Sequence, residues 1–287
     1  MNMVTIKTTD VFGADGFPIG VSRQDPQPLF PRHRHQFTEL VLVTGGSGLH
    51  SMPREEYPVS AGDVFVITGS TPHQYRDLRA LKLINVVFDP ATLGMDRWDV
   101  RSLPGYRAIF TLEPAYRRRH NFASRLKLDM EALSMASILI DRLKRELHGK
   151  LPGFQLLATA HFMELVVFLS RSYGCVRTTE SRSLLRIAEA ITYIEQHFKD
   201  KITLETLASI AHMSRRTFTR AFRSAMGDAP ITYLIKLRIA HAAKLIRSGD
   251  AKLTEIALDS GFSDSNYFIR QFKIAMGCTP REYRRLA

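Results

Sequence analysis

Two cysteines in 287 residues, Cys175 and Cys278, are too few for a disulfide-stapled secreted scaffold, and no CxxC pair offers a zinc-binding knuckle. The most apolar window, residues 162–169, is interrupted by Glu164. It falls far short of the roughly 20 residues that a membrane-spanning helix needs. The opening MNMVTIKTTD has no basic stretch leading into an apolar one, so no export signal is read there. These absences lead to the expectation of a cytoplasmic protein, neither membrane-inserted nor exported. Acidic residues are also in deficit, with 28 Asp+Glu against 40 Lys+Arg and a formal net charge of +12. An excess of that size favours polyanionic partners, nucleic acid first. A 45% hydrophobic and 24% charged composition is that of a packed globular protein and excludes general disorder or a fibrous repeat.

The length suits two domains, and the charge is unevenly spread between them. From Arg177 to the end there are 19 Lys+Arg and 11 Asp+Glu, so the C-terminal part carries most of the excess. Residues 1 to about 115 hold most of the Gly and Pro and three β-rich runs, 39–44, 64–68 and 83–88, separated by Gly or Pro turns. That texture predicts an antiparallel sandwich or barrel. From about Phe122 it changes. Leu126, Leu133, Ile140 and Leu147 recur every seven residues, with Ala136 and Leu143 between them, and a second apolar helix is expected from Phe154 to about Tyr173. Two antiparallel helices follow from this. Residues 174–183 lack any apolar period and read as exposed, and the domain boundary is placed there.

The C-terminal third repeats itself at an offset of 50 residues. Phe218-x-Arg220-x-Phe222 returns as Phe268-x-Arg270-x-Phe272, and Ala225-Met226-Gly227-x-x-Pro230-x-x-Tyr233 returns as Ala275-Met276-Gly277-x-x-Pro280-x-x-Tyr283. A short helix precedes each copy, over residues 204–211 and 254–259, so each unit is helix, turn, helix. The turn Ser260-Gly261-Phe262 supplies a glycine for the reversal and a Phe to fill the angle, and Ser214 and Asp264 are placed to cap the helices that follow.

In the first of those second helices, Phe218, Ala221, Phe222 and Ala225 form one apolar stripe and leave Arg215, Arg216, Thr219, Arg220 and Arg223 outward. In the second, Phe268, Phe272 and Ala275 are expected inward, and Ser265, Asn266, Ile269, Arg270 and Lys273 outward. Arg pairs bidentately with a guanine edge and Asn with adenine, while Thr or Ile methyls meet a thymine methyl. A spacer helix over residues 231–248 would be roughly 27 Å long at 1.5 Å per residue. That suits two recognition helices in successive major grooves, roughly 34 Å apart.

Over about residues 184–285 these motifs resemble the AraC-type bacterial transcription regulators. The most specific pieces are Thr254-Glu255-Ile256-Ala257, Gly261-Phe262-Ser263-Asp264-Ser265-Asn266-Tyr267-Phe268, Arg270-x-Phe272, and Gly277-x-x-Pro280-x-x-Tyr283-Arg284. The resemblance implies two helix-turn-helix units joined by a long helix. It implies base contacts from the positions of Arg216, Thr219 and Arg220 in the first reader, and of Ser265, Asn266 and Arg270 in the second. Phosphate contacts would fall to Arg215, Arg223 and Lys273. Relatives activate transcription by touching RNA polymerase beside the second unit, where Glu255 and Asp264 are acidic, although Asp264 serves equally as a helix cap.

In the β-rich part, His33-x-His35-x3-Glu39-x6-Gly46 and Gly62-x5-Thr68-x-Ser70-x2-His73 resemble the two signature motifs of cupin barrels, with Thr68 and Ser70 replacing the usual Pro and Gly. His33, His35, Glu39 and His73 are therefore a possible set for a divalent metal. The alternative is direct hydrogen bonding to a small effector, commonly a sugar in this family, by Arg32, His33, His35, Glu39, His73, Tyr75 and Asn85. No obligatory cofactor is assigned, and His50 and Tyr57 read as structural. Over the whole chain, Pro31-Arg32-His33-Arg34-His35 and Asp264-Ser265-Asn266 included, the resemblance is to the rhamnose-responsive activators of the family.

The expected fold is thus α+β in two domains. A cupin-like β-barrel with an antiparallel helix pair spans residues 1–175, a linker 176–183, and an all-α double helix-turn-helix domain 184–287. The expected function is a DNA-binding transcription regulator, an activator controlled by a sugar and not an enzyme. The alternative is a metal-dependent cupin enzyme or metal sensor fused to a DNA-binding domain. The Leu/Ile stripe packs either on its own barrel or also against a second chain as a homodimer, as the family commonly does.

Overall fold

The computed structural model describes residues 3–286 apart from 13–14, 54, 70, 96–97, 113, 115–125, 175–178 and 250. It divides into two compact units, Met1–Leu185 and Arg186–Ala287. Phe122, Cys175 and Ser70, invoked above, lie outside the described residues, as do residues 176–178 of the expected linker.

Among the described residues the first unit has eight strands: β1 (Val4–Ile6), β2 (Ile19–Gln24), β3 (His33–His35), β4 (Thr38–Met52), β5 (Glu55–Ser60), β6 (Asp63–Ile67), β7 (Gln74–Phe88) and β8 (Leu126–Lys127). The main sheet runs β2-β7-β4-β6-β8, with β5 also on β4, and all of its pairings are antiparallel. Two periods of 2 explain it. Leu40, Leu42, Val64, Val66, Ile84, Val86 and Phe88 point to one face and join a core that includes helical residues. Val41, Val43, Phe65, Ile67, Leu81 and Leu83 point to the other and form a separate cluster with Tyr57 and Tyr75. Both faces are covered, which is why β4 carries a continuous apolar run from Leu40 to Val43 and not an alternating one.

The pairing closes no barrel among the described residues. β2 and β8 remain the two ends of the sheet, and β1 with β3 forms a separate parallel pair linked to it by a His33–His73 bridge. β4 and β7 are the long strands of the sheet, and both are irregular. Their register shifts between Val43 and Leu49, so one half of β4 pairs with β6 and the other with β5. Gly46 sits at the bend with φ +65°, and a Cβ there would lie 2.0 Å from the Ala80 carbonyl oxygen.

Two helices follow, α1 (Met130–Gly149) and α2 (Phe154–Gly174). The first begins at Met130 and not near Phe122, because the Asp129 carboxylate accepts from Ala132 N–H and caps it. Leu126, the first member of the seven-residue series, is instead in β8, pairing with Val64. The remaining members, Leu133, Ile140 and Leu147, pack with Leu143 and with Phe162, Leu165 and Leu169 of α2 into the core of this same unit. Its own sheet therefore consumes the stripe.

The next helix, α3 (Thr179–His197), starts inside the stretch expected as linker and contains the division between the units at Leu185 and Arg186. Leu184, Ile187, Ala188, Ile191 and Ile194 recur at helical spacing and are buried, and no Gly or Pro between Thr179 and Ser183 stops the helix. Next come α4 (Leu204–Ile210), α5 (Arg215–Met226), α6 (Pro230–Ser248), α7 (Leu253–Asp259), α8 (Ser265–Met276) and α9 (Pro280–Leu286). The repeat seen in sequence is repeated in packing. Phe218 and Phe222 ring centroids are 5.5 Å apart and those of Phe268 and Phe272 5.6 Å; Phe222–Tyr233 and Phe272–Tyr283 follow at 5.8 and 5.4 Å.

Candidate functional site

The two helix pairs are α4–α5 and α7–α8, each ending in a capped reader helix. Ser214 and Asp264 accept from the N–H of Thr217 and Tyr267, and Gly227 and Gly277 close the C-termini with φ +83° and +77°. The turns match as well. His212 N–H donates to the Ser209 carbonyl and Met213 N–H to that of Ala208, just as Gly261 bonds Leu258 and Phe262 bonds Ala257. His212 and Gly261 both have positive φ, +48° and +84°.

On α5, Phe218, Phe222 and Ala225 are buried, and Arg215, Arg216, Arg220 and Arg223 are exposed, with Thr219 half-buried. On α8, Phe268 and Phe272 are buried, and Asn266, Arg270 and Lys273 are exposed, with Ser265 half-buried. Ala275 departs from expectation, being exposed. It takes no part in the core cluster built on Phe268 and Phe272, whereas its counterpart Ala225 in the last turn of α5 is buried. Arg215 forms an ion pair with Glu205 of α4 at 2.6 Å, so one outward arginine is tied to its own unit. Arg270 lies over the Tyr267 ring at 5.3 Å, a contact the sequence did not indicate. Glu255 accepts from Lys252 N–H and Asp264 from Tyr267 N–H, so both acids cap helices while remaining exposed.

The second cluster lies in the first unit. The Nδ1 atoms of His33, His35 and His73 are 3.0, 2.7 and 3.1 Å from the carbonyl oxygens of Pro31, Phe37 and Thr71. A carbonyl only accepts, so each Nδ1 carries the hydrogen, and Nε2 is the free end of each ring. His35 Nε2 and His73 Nε2 lie 3.2 and 3.6 Å from Glu39 Oε2, with all three residues buried. The Nε2 atoms of two rings thus face one carboxylate oxygen, an arrangement that a divalent cation held between them would satisfy. Burial pushes Glu39 up, but the hydrogen bonds and charge of His35 and His73 more than offset it, holding the carboxyl well below its ordinary range. Burial, together with His73, pushes His33 down to about 4.

The ligating atoms of His35, Glu39 and His73 all lie within 4.8 Å of one another, which fits a divalent metal with two nitrogen donors and one oxygen donor. His33 stands beside this trio, its ring centroid 4.3 Å from His73, but it is not one of the three converging donors. Arg32 donates to Ser51 Oγ at 3.1 Å, and Tyr75 and Asn85 lie on β7. His50, read as structural from sequence, has its ring centroid 5.4 Å from that of His73 and hydrogen-bonds Tyr57 through Nδ1. Register explains the difference, since His50 pairs with both Tyr75 and Tyr57 across the sheet, a neighbourhood that motif spacing does not reveal.

A family model described as a helix-turn-helix domain matches residues 207–286, and one described as an AraC-like ligand binding domain matches residues 18–166. The chain is 29% identical over 284 residues to the HTH-type transcriptional activator RhaS of Escherichia fergusonii, covering 98% of this chain and 97% of the relative. It is 28% identical over 273 residues to the activator RhaR of Mannheimia succiniciproducens, covering 95% and 94%. Among solved structures, the DNA-binding domain of the transcriptional factor AdpA in complex with a target DNA is similar to this chain. It is 36% identical with a TM-score of 0.34, over 35% of this chain and 91% of that one.

Proposed function

The chain belongs to the AraC-type transcription regulators, and from that premise we propose that it is an activator that reads promoter DNA through α5 and α8 under the control of a small molecule held in the first unit. The observation that carries the reading is the duplicated, capped helix pair, with Arg216 and Arg220 exposed on one copy and Asn266 and Arg270 on the other. Arginine and asparagine are the side chains that read guanine and adenine edges, and Arg223 and Lys273 add phosphate contacts. The full-length similarity to activators named RhaS and RhaR supports a sugar as the effector. Arg32, His33, His35, Glu39, His73, Tyr75 and Asn85 would supply its donors and acceptors. Glu255 and Asp264 stay exposed on the second unit for a contact with RNA polymerase.

A homodimer would use the outer faces of α1 and α2, where Met135, Ile138, Leu156 and Leu157 are exposed, because the heptad stripe is already covered. The setting is the cytoplasm, and no helix among the described residues is long and apolar enough to cross a membrane. The test is twofold. Purified full chain should bind a selected promoter duplex with an affinity that falls steeply with salt. A monosaccharide should raise its melting temperature, an effect lost in His33→Ala. Absence of any sequence-preferring DNA binding would sink the first half, and silence across a sugar panel the second.

A second reading rests on the His35, Glu39 and His73 trio, whose Nδ1 anchors leave the Nε2 atoms directed at one carboxylate oxygen. These residues would hold a divalent cation, which would polarise a bound effector or serve as the signal itself. Metal analysis of protein purified without a His tag, with zinc, nickel and manganese tested by thermal shift, separates it from the sugar reading. Metal at one per chain that is lost in Glu39→Gln supports the trio as its holder.

A further inference from the structure

The first helices and turns of the two pairs correspond at an offset of 49 and the reader helices at an offset of 50, so the outward faces of the readers can be compared position by position. Arg220 and Arg270 correspond, and Arg223 corresponds to Lys273. The copies part at three positions. Arg215 corresponds to Ser265, Arg216 to Asn266, and Thr219 to Ile269. Residues 266, 269, 270 and 273 are spaced by three, four and seven, so they share one side of α8. Ile269 is 40% exposed there, an aliphatic side chain set among Asn266, Arg270 and Lys273. Its partner in the first copy, Thr219, also carries a β-branched methyl but pairs it with a hydroxyl and is less exposed. Arg270 is meanwhile held over the Tyr267 ring, so the side chain nearest to Ile269 in the chain has a platform of its own.

We infer that Ile269 is a specificity-determining residue of the second reader helix, recognising the C5-methyl group of a thymine in the half-site that α8 contacts. The inference rests on the DNA-reading role of α8 given above. In the major groove the thymine methyl is the one apolar feature a base pair displays, and an exposed aliphatic side chain amid polar readers matches it and nothing else there. With Asn266 suited to adenine beside it, the half-site of α8 is A·T-containing. The half-site of α5, faced by Arg216 and Arg220, is guanine-rich. The two half-sites are therefore unlike in sequence although the two helix pairs are alike in fold.

The test begins with selection of duplexes from a random library by the full chain. Each thymine of the selected site is then replaced singly by deoxyuridine, which removes only the methyl group, and affinity is measured for the natural chain, Ile269→Ala and Ile269→Val. One thymine is expected to cost the natural chain about fourfold on demethylation, the worth of one buried methyl. Ile269→Ala should show no such penalty at that position, and Ile269→Val should keep most of it. A melting temperature unchanged in Ile269→Ala keeps a folding defect from imitating the result. Equal deoxyuridine penalties in the natural chain and Ile269→Ala at every thymine, or a selected site with no thymine in either half-site, overturns the inference while leaving DNA reading intact. Selection that yields no preferred sequence overturns both.

Discussion

Gly261→Ala should be among the most damaging single-methyl changes in the second unit. Gly261 has φ +84°, and a Cβ built there lies 2.8 Å from the Phe198 carbonyl oxygen, 2.9 Å from Arg238 Nε and 2.9 Å from Lys199 Cα. Holding an L-residue in this left-handed conformation costs about 1–2 kcal/mol, offset by about 0.4–1 kcal/mol because alanine loses less freedom on folding than glycine. The steric part is larger, since two of the three neighbours are backbone. The third is a guanidinium that donates to the Phe198 carbonyl at 2.6 Å and to the Asp200 carbonyl at 2.7 Å. Displacing it loses charge-assisted hydrogen bonds worth about 1.5–3 kcal/mol each, part of which water restores at this half-buried site. A net loss of about 2–4 kcal/mol follows.

The matched turn supplies the control. His212 holds the same kind of conformation with φ +48° and already carries a Cβ, so His212→Ala introduces no new clash and should cost under about 1 kcal/mol. Calorimetric unfolding of the full chain, following the transition of the helical unit, compares the two. A Gly261→Ala transition within a degree or two of the natural chain, or equal losses in both variants, would refute the reasoning.

Arg220→Ala and Arg270→Ala should each cost about 1–3 kcal/mol of specific binding and relax base preference at one position, with melting temperature unchanged. Lys273→Ala should weaken binding to all sequences alike and lower the salt slope by about one, so a sequence-dependent loss would reassign it to base reading. His33 is held at about 4, below its ordinary 6.5, so the unfolded chain takes up that proton first as pH falls. Its stabilising contribution is then fully present above about pH 6.5 and is lost as pH drops towards 4. The stability difference between the natural chain and His33→Gln should therefore shrink over that window, and a flat difference would contradict the burial and His73 repulsion assigned to it.

The C-terminal unit was legible because its information is local and stated twice. Phe218 and Phe222 at helical spacing, Ser214 and Asp264 as caps, and Gly227 and Gly277 as stops each act within one helix, and the 50-residue repeat shows them together. Leu126 was misassigned for the converse reason. A leucine seven residues before Leu133 satisfies a helical period, and only the pairing of Leu126 with Val64 across the sheet shows that it belongs to a strand. Ala275 was placed inward by period alone, which does not say where the buried face ends.

By itself the sequence determined the two units, the duplicated reader helices and the histidines and carboxylate of the N-terminal motifs, since period, capping and composition act over a few residues. Tertiary structure decided what those residues meet. It brought His35, Glu39 and His73 onto one point, set His33 beside them, and drew His50 in through pairings with Tyr57 and Tyr75. It tied Arg215 to Glu205 and turned the heptad stripe of α1 onto its own sheet. Register and packing are long-range quantities, fixed by the sum of contacts between distant segments, and no window of sequence contains that sum.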